Sequence, residues 1–147
     1  MSEVLGIGVD MVRVDRLRAI LEGDDYTGLV VRWFTPAERD YCLAKSDPAP
    51  HLAARFAAKE AFLKALGYGL GPGIVLTEIG VVNGPTGKPS LELAGATARL
   101  FASQGGERAH LSLSHDGNYA QAMVVLSCRG PGGDGDVRVP PVRSGRR

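Results

Sequence analysis

Within RFAAKEAFLKALGYG, residues 55–69, four charged side chains interrupt a run of alanines, leucines and phenylalanines: Arg55, Lys59, Glu60 and Lys64. Helical spacing makes Lys64 the i+4 neighbour of Glu60. One reading is an exposed Glu–Lys pair on a solvated stripe, worth about 0.3–0.5 kcal/mol. The other needs Asp10, which closes the apolar stretch EVLGIGV. Two carboxylates on rigid elements supply part of an octahedral oxygen shell for Mg²⁺, leaving the other positions to water and a substrate phosphate. Lys64 would then meet a phosphate oxygen as a point charge. Arg55 would do so bidentately if it turns the same way. Asp10 also has a plainer reading, as N-cap of a helix starting near Met11, and periodicity alone does not bring it to Glu60. His115, in SHDG, follows an alternating strand at a turn, where a lone histidine is ordinarily a surface residue. The glycine-rich stretches carry no nucleotide signature. GIGVD lacks the spacing of a dinucleotide fingerprint, and GYGLGPG lacks the Lys-Ser/Thr of a triphosphate loop.

These residues must be held by a small set of elements. Residues 4–9 read as a buried strand ending at Asp10, rich in Val, Ile and Gly. VDRLRAILEG has helical spacing, with Val14, Leu17, Ile20 and Leu21 on one face and Gly23 to end it. Arg13, Arg16 and Arg18 lie off that face. Residues 35–44 read as a helix with Thr35 as N-cap, Pro36 in the first turn and Glu38 completing a capping box. SDPAP breaks it, and a long helix runs from about His51 to Leu66, stopping at Gly67. Residues 74–83 read as a strand, GPTGKP as a turn and SLEL as the partner strand. GATARLFASQGG is a short helix closed by glycines. HLSLS and YAQAMVVLS are strands around an Asp116-Gly117 hairpin. The order β-α-α-α-β-β-α-β-β implies an α+β domain of mainly antiparallel strands with packed helices.

At 147 residues the chain is the size of one compact domain. Its 44% hydrophobic and 22% charged content fit a soluble globular protein. No apolar run is long enough to span a bilayer, and MSEVLGIGVD lacks the basic start of a secretory signal, so the cytosol is the expected compartment. Cys42 and Cys128 are far apart and outside any CxxC pair, which argues against zinc. The segment from Arg129 to Arg147 holds five arginines and two aspartates, a charge of +3, which leaves −2 on the rest of a chain of net charge +1. The body is therefore no nucleic-acid binder by bulk charge. Residues 129–147 are Gly-, Pro- and Arg-rich with little to bury and are expected to be disordered. Residues 1–128 are expected to form the domain.

Three separated stretches together resemble the holo-acyl-carrier-protein synthase family of short 4′-phosphopantetheinyl transferases. They are GIGVDMVRVDRL (6–17), RFAAKEAFLKALGYG (55–69) and LSLSHDGNYAQAMVV (111–125). NGPTGKPSLEL (83–93) is similar to that family's Asn…Gly-Lys-Pro turn and strand. The resemblance covers roughly residues 4–126 in the right order. It implies transfer of the 4′-phosphopantetheine arm of coenzyme A to a serine of apo acyl carrier protein, with release of adenosine 3′,5′-bisphosphate. Such a reaction supports fatty acid or polyketide biosynthesis. It also implies Mg²⁺ held by Asp10 and Glu60, and Lys64 and His115 as contacts for the coenzyme A phosphates. Arg55 and Lys88 are further candidates for that task. The base that takes the serine proton is left among a metal-bound water, Glu60 and Asp10.

The resemblance further implies a homotrimer with active sites between neighbouring subunits, Asp10 coming from one and the Glu60 helix from the next. Carrier proteins are acidic along one helix, so Arg13, Arg16 and Arg18 are the expected docking face, Arg16 first among them. A solvated helix face partly balanced by Asp15 is the plainer alternative. Two other functions stay in view: a non-catalytic module that binds coenzyme A or carrier protein, and an unrelated Mg²⁺-dependent phosphohydrolase.

Overall fold

A computed structural model describes residues 2–24 and 26–129. The expected tail, apart from Arg129, lies outside the described residues. In chain order the elements are β1 (Ser2–Arg13), α1 (Val14–Glu22), α2 (Tyr26–Trp33), α3 (Pro36–Leu43), α4 (Pro48–Leu66), a 3₁₀ turn (Leu76–Glu78), β2 (Ile79–Asn83), β3 (Pro89–Leu93), α5 (Gly95–Ser103), β4 (Arg108–Asp116) and β5 (Tyr119–Arg129). β1, β5 and β4 form a three-stranded antiparallel sheet in that order, and β2 pairs with β3 in a separate hairpin. The α+β class with antiparallel strands holds.

Several boundaries move. The first strand does not stop at Asp10 but continues through Arg13, so Asp10 is no helix N-cap; Arg13 holds that position, with no side-chain cap bond. α2 has no counterpart among the elements expected from the sequence. The segment expected to be strand from 74 is strand only from Ile79, preceded by the 3₁₀ turn. α4 begins at Pro48, not near His51, because its prolines fall in the first turn, where no N–H is needed. β4 runs on through His115 and Asp116, so His115 is a strand residue, not a turn residue. The capping box is as expected: Glu38 N donates to Thr35 Oγ1 at 3.1 Å and Thr35 N donates to Glu38 Oε1 at 2.9 Å.

α4 is the centre of the molecule. It lies on one face of the three-stranded sheet and is covered elsewhere by α1, α3 and β2. Fourteen of its residues are buried, Arg55 and Lys59 among them, so it has no solvated stripe of the usual amphipathic kind. Its seat is prepared by β1. Gly6, Gly8, Asp10 and Val12 share a strand face by the two-residue alternation. A Cβ on Gly6 would overlap the Ala65 carbonyl oxygen, and one on Gly8 the Ala61 carbonyl oxygen. The two glycines thus let the helix backbone rest directly on the strand. Two residues on, the same face presents Asp10 to the helix. The opposite sheet face is open and apolar: Ile7, Val9, Met11, Tyr119 and Met123 are exposed.

The far side of α4 is fixed by a buried ion pair. Lys59 Nζ donates to Glu38 Oε1 at 2.7 Å and to the carbonyls of Ile79 at 2.6 Å and Leu76 at 3.1 Å. Glu38 Oε2 accepts from Val81 N at 3.1 Å. Both side chains are fully buried. Burial pushes the Lys59 amine down, against the pull of Glu38. Three acceptors around the ammonium offset the cost of desolvating it and tie α3, α4 and β2 at one point.

Candidate active site

Asp10, Glu60 and Lys64 come together where β1 crosses α4. Asp10 is held by strand register opposite Ala122 and is 9% exposed. Its Oδ1 accepts from Lys64 Nζ at 2.9 Å, and that amine also donates to the Val9 carbonyl at 3.1 Å. Lys64 therefore pairs with Asp10 rather than forming the simple i, i+4 surface pair with Glu60. Its amine is held above its ordinary range, chiefly by the Asp10 hydrogen bond. Glu60 is half-buried against the same aspartate. Burial first, then the hydrogen bond and the charge of Asp10, push its carboxyl up to about 7, although Lys64 and Arg16 pull the other way. Two carboxyls this close do not both ionise freely.

Asp10 Oδ2 is buried and no amide or cation donates to it; a hydrogen bond between Asp10 and Glu60 forms only when Glu60 is protonated. A desolvated carboxylate oxygen without a donor is costly, and a cation facing it and Glu60 removes the cost. The described residues hold no group of three or more His, Cys, Asp or Glu side chains that would cage a metal. The donor set is thus two carboxylates, which suits Mg²⁺ completed by water and a phosphate-bearing substrate rather than an all-protein site. Beside it, Glu60, Leu63, Lys64, Tyr68, Gly69 and Leu70 line an open depression of about 160 Å³.

Both carboxylates belong to one chain. The expectation that Asp10 and the Glu60 helix would come from different subunits is therefore corrected. β1 and α4 pack on each other within the fold because Gly6 and Gly8 allow it.

The other expected phosphate contacts form a second cluster. Arg55 is 3% exposed. Its Nη2 donates to Asn83 Oδ1 at 2.6 Å, its Nη1 to the His51 carbonyl at 3.2 Å, and its guanidinium lies over the Tyr41 ring at 4.4 Å. His115 joins through His51, their ring centroids 6.1 Å apart. Asn83 Nδ2 donates in turn to the Gly87 carbonyl at 3.0 Å, fixing the turn that carries exposed Lys88. Arg55 and Glu60 are five residues apart, about 140° around the helix and about 7.5 Å along it. The two clusters hence sit on different sides of α4. His51 and Tyr41 were not picked out from the sequence; neither belongs to a motif, and only their positions in space group them.

Of the three arginines near Asp10, two are engaged. Arg13 Nη2 donates to Asp15 at 2.5 Å, and Arg18 meets Asp47 through two bonds of 2.8 and 3.0 Å. Arg16 instead lays its guanidinium 5.5 Å from the Phe56 ring centroid and borders an open groove of about 670 Å³ between α1, α2 and the loop after α4. Cys42 is buried and its thiol is pushed up to about 11 by desolvation, so it is inert at neutral pH.

Comparison with known proteins points the same way as the geometry. The 4′-phosphopantetheinyl transferase superfamily model matches residues 6–124. A holo-[acyl-carrier-protein] synthase of Syntrophotalea carbinolica is 55% identical over 126 residues, covering 86% of this chain and 98% of its own. The crystal structure of a holo-[acyl-carrier-protein] synthase from Neisseria meningitidis superposes with a TM-score of 0.74 at 33% identity, covering 84% of this chain and 98% of its own. That of a holo-(acyl-carrier-protein) synthase from Bacillus anthracis, in complex with CoA (3′,5′-ADP), gives 0.70 at 31% identity, covering 86% and 98%.

Proposed function

The chain belongs to the 4′-phosphopantetheinyl transferase superfamily, and from that premise we propose that it moves the 4′-phosphopantetheine arm of coenzyme A onto a serine of an apo acyl carrier protein, releasing adenosine 3′,5′-bisphosphate. The observation that carries the reading is the convergence of Asp10, Glu60 and Lys64, with one oxygen of buried Asp10 left without a donor. The bond broken lies in the pyrophosphate of coenzyme A, and charge builds on its oxygens as the serine attacks. Asp10 and Glu60 would hold Mg²⁺, which when bound supplies electrostatic stabilisation of the phosphate oxygens.

This chain's own residues do the rest. Lys64, half-exposed on a flexible stem, neutralises charge on a non-bridging oxygen. Arg55, His115 and Lys88 bind the nucleotide end. Arg16, free of an acidic partner in its own helix, receives the acidic carrier helix, with Arg13 and Arg18 adding attraction that salt weakens.

A homotrimer is part of the proposal. The exposed apolar face of Ile7, Val9, Met11 and Met123 supports burial against further copies, and the separation of the two clusters around α4 supports an active site completed between copies. A cytosolic setting, where thiols stay reduced, suits the unpaired Cys42 and Cys128.

The test is intact-mass analysis of an apo acyl carrier protein after incubation with this protein, coenzyme A and Mg²⁺. The expected result is a gain of one phosphopantetheine that disappears with chelator. Absence of any gain on several carriers, with the protein folded, would refute the transferase.

A further inference from the structure

His51 has no part in the reaction described so far, yet it sits at the centre of the second cluster. Its ring stands edge-on between Tyr41, at 6.2 Å between centroids, and His115, at 6.1 Å. Its carbonyl takes one hydrogen bond from Arg55. Arg55 and Lys45 both lie against the Tyr41 ring, at 4.4 and 4.5 Å. The result is a row of three rings with two cationic side chains against the Tyr41 end.

The charges facing His51 are unbalanced. Burial first, then Arg55 from α4, Lys45 just after α3 and His115 from β4 disfavour its protonation, and its imidazole is held below its ordinary range. The opposing carboxylate is Asp47, and both of its oxygens are taken by Arg18. An anion balancing Arg55 and Lys45 would remove much of that penalty and favour the protonated ring, a charge-assisted donor.

We propose that His51 is a further binding residue for the nucleotide end of coenzyme A, contacting its 3′-phosphate in a manner that strengthens as pH falls. The proposal rests on the transferase reading above. Coenzyme A carries two separate anionic groups. The pyrophosphate belongs with Lys64 and the carboxylates, and the 3′-phosphate needs cations elsewhere. Arg55, Lys45, His51 and His115 provide them with an aromatic ring alongside.

The test is titration calorimetry of adenosine 3′,5′-bisphosphate and of adenosine 5′-monophosphate, at about pH 5.5 and about pH 8, with wild type and His51→Gln. The ligand phosphate itself titrates near pH 6, so the quantity read is the ratio of wild-type to variant affinity. For the bisphosphate this ratio is expected to be about tenfold at the lower pH and to shrink to about twofold or less at the higher. For the monophosphate it stays near unity at both. A variant-free measurement accompanies it: the His51 imidazole, followed by NMR, should titrate at higher pH once the bisphosphate is bound. A ratio that ignores pH, or is equal for both nucleotides, or a His51 titration that does not move, overturns the role of His51 alone. Failure of wild type to bind the bisphosphate at either pH overturns the transferase reading together with it.

Discussion

Replacing Glu60 by Gln should make the metal-free protein more stable above neutrality while removing its activity. In the folded chain the Glu60 carboxyl is pushed from 4.5 to about 7 by burial and by Asp10. A carboxyl raised on folding binds its proton more tightly in the folded state. Stability is therefore fully present below about 4.5 and declines as pH rises through about 7. Unscreened, that rise corresponds to about 3 kcal/mol. Glu60 is only half-buried, and water screens part of the effect, so about 1–2 kcal/mol is the expected size. Glutamine keeps the shape and cannot ionise. In chelator, thermal unfolding of wild type should show a Tm that drops between about pH 5.5 and about pH 8, while Glu60→Gln stays flatter and lies roughly 3–8 °C higher at the upper pH. Excess Mg²⁺ should close the gap by stabilising wild type alone. A variant no more stable than wild type at the upper pH in chelator would refute the argument that Asp10 and Glu60 repel in the metal-free protein.

The remaining expectations concern docking and support. Arg16→Glu should raise KM for the carrier roughly tenfold or more at low salt, with little change in kcat; steady-state assays with two carriers check it, and an unchanged KM clears α1 of a docking role. Lys59→Met leaves Glu38 buried and without its cation, and should cost about 3–5 kcal/mol in urea unfolding; the double variant with Glu38→Gln should recover part of that loss. Gly8→Ala should be worse for function than its single methyl suggests, because the Ala61 carbonyl blocks the new Cβ. Lifting α4 there moves Glu60 from Asp10, and a fully active, normally stable variant would show that the strand and helix are not in direct contact.

Local chemistry was legible in the sequence where it sits in local contacts. Thr35 and Glu38 are three residues apart and cap each other as expected, and Gly117 takes the positive φ of the hairpin it was expected to make. α2 was not legible. YTGLVVRW carries a glycine and two β-branched valines, which lower helix propensity, and its packing against α1 and the 3₁₀ turn overrides them. The end of β1 was misjudged because glycines at 6 and 8 hide the alternation that continues through Asp10 and Val12. Lys59 looked like part of a charged stripe because sequence gives its angle on the helix and not what stands opposite.

That last point explains why α4 was hard to read. Taking Arg55 as the origin, Lys59 lies about 40° around the helix, Glu60 about 140° and Lys64 about 180°. For a helix on the protein surface those four charges must share one solvated arc, and the natural inference is a surface stripe. α4 is instead enclosed, with the sheet on one side and α3 and β2 on another. Arg55 and Lys59 therefore turn toward Asn83 and Glu38, while Glu60 and Lys64 turn toward Asp10. Arg55, Lys59 and Lys64 each meet an acceptor from another element, while Glu60 meets the second carboxylate, Asp10, which disfavours its ionisation. The same helix carries both clusters: the Lys59–Glu38 pair lies next in sequence to Glu60 and one turn from Arg55. A perturbation of that pair should then be felt at both the carboxylates and the nucleotide end, whereas Arg16, on α1, reaches α4 only through the Phe56 ring and its charge on Glu60.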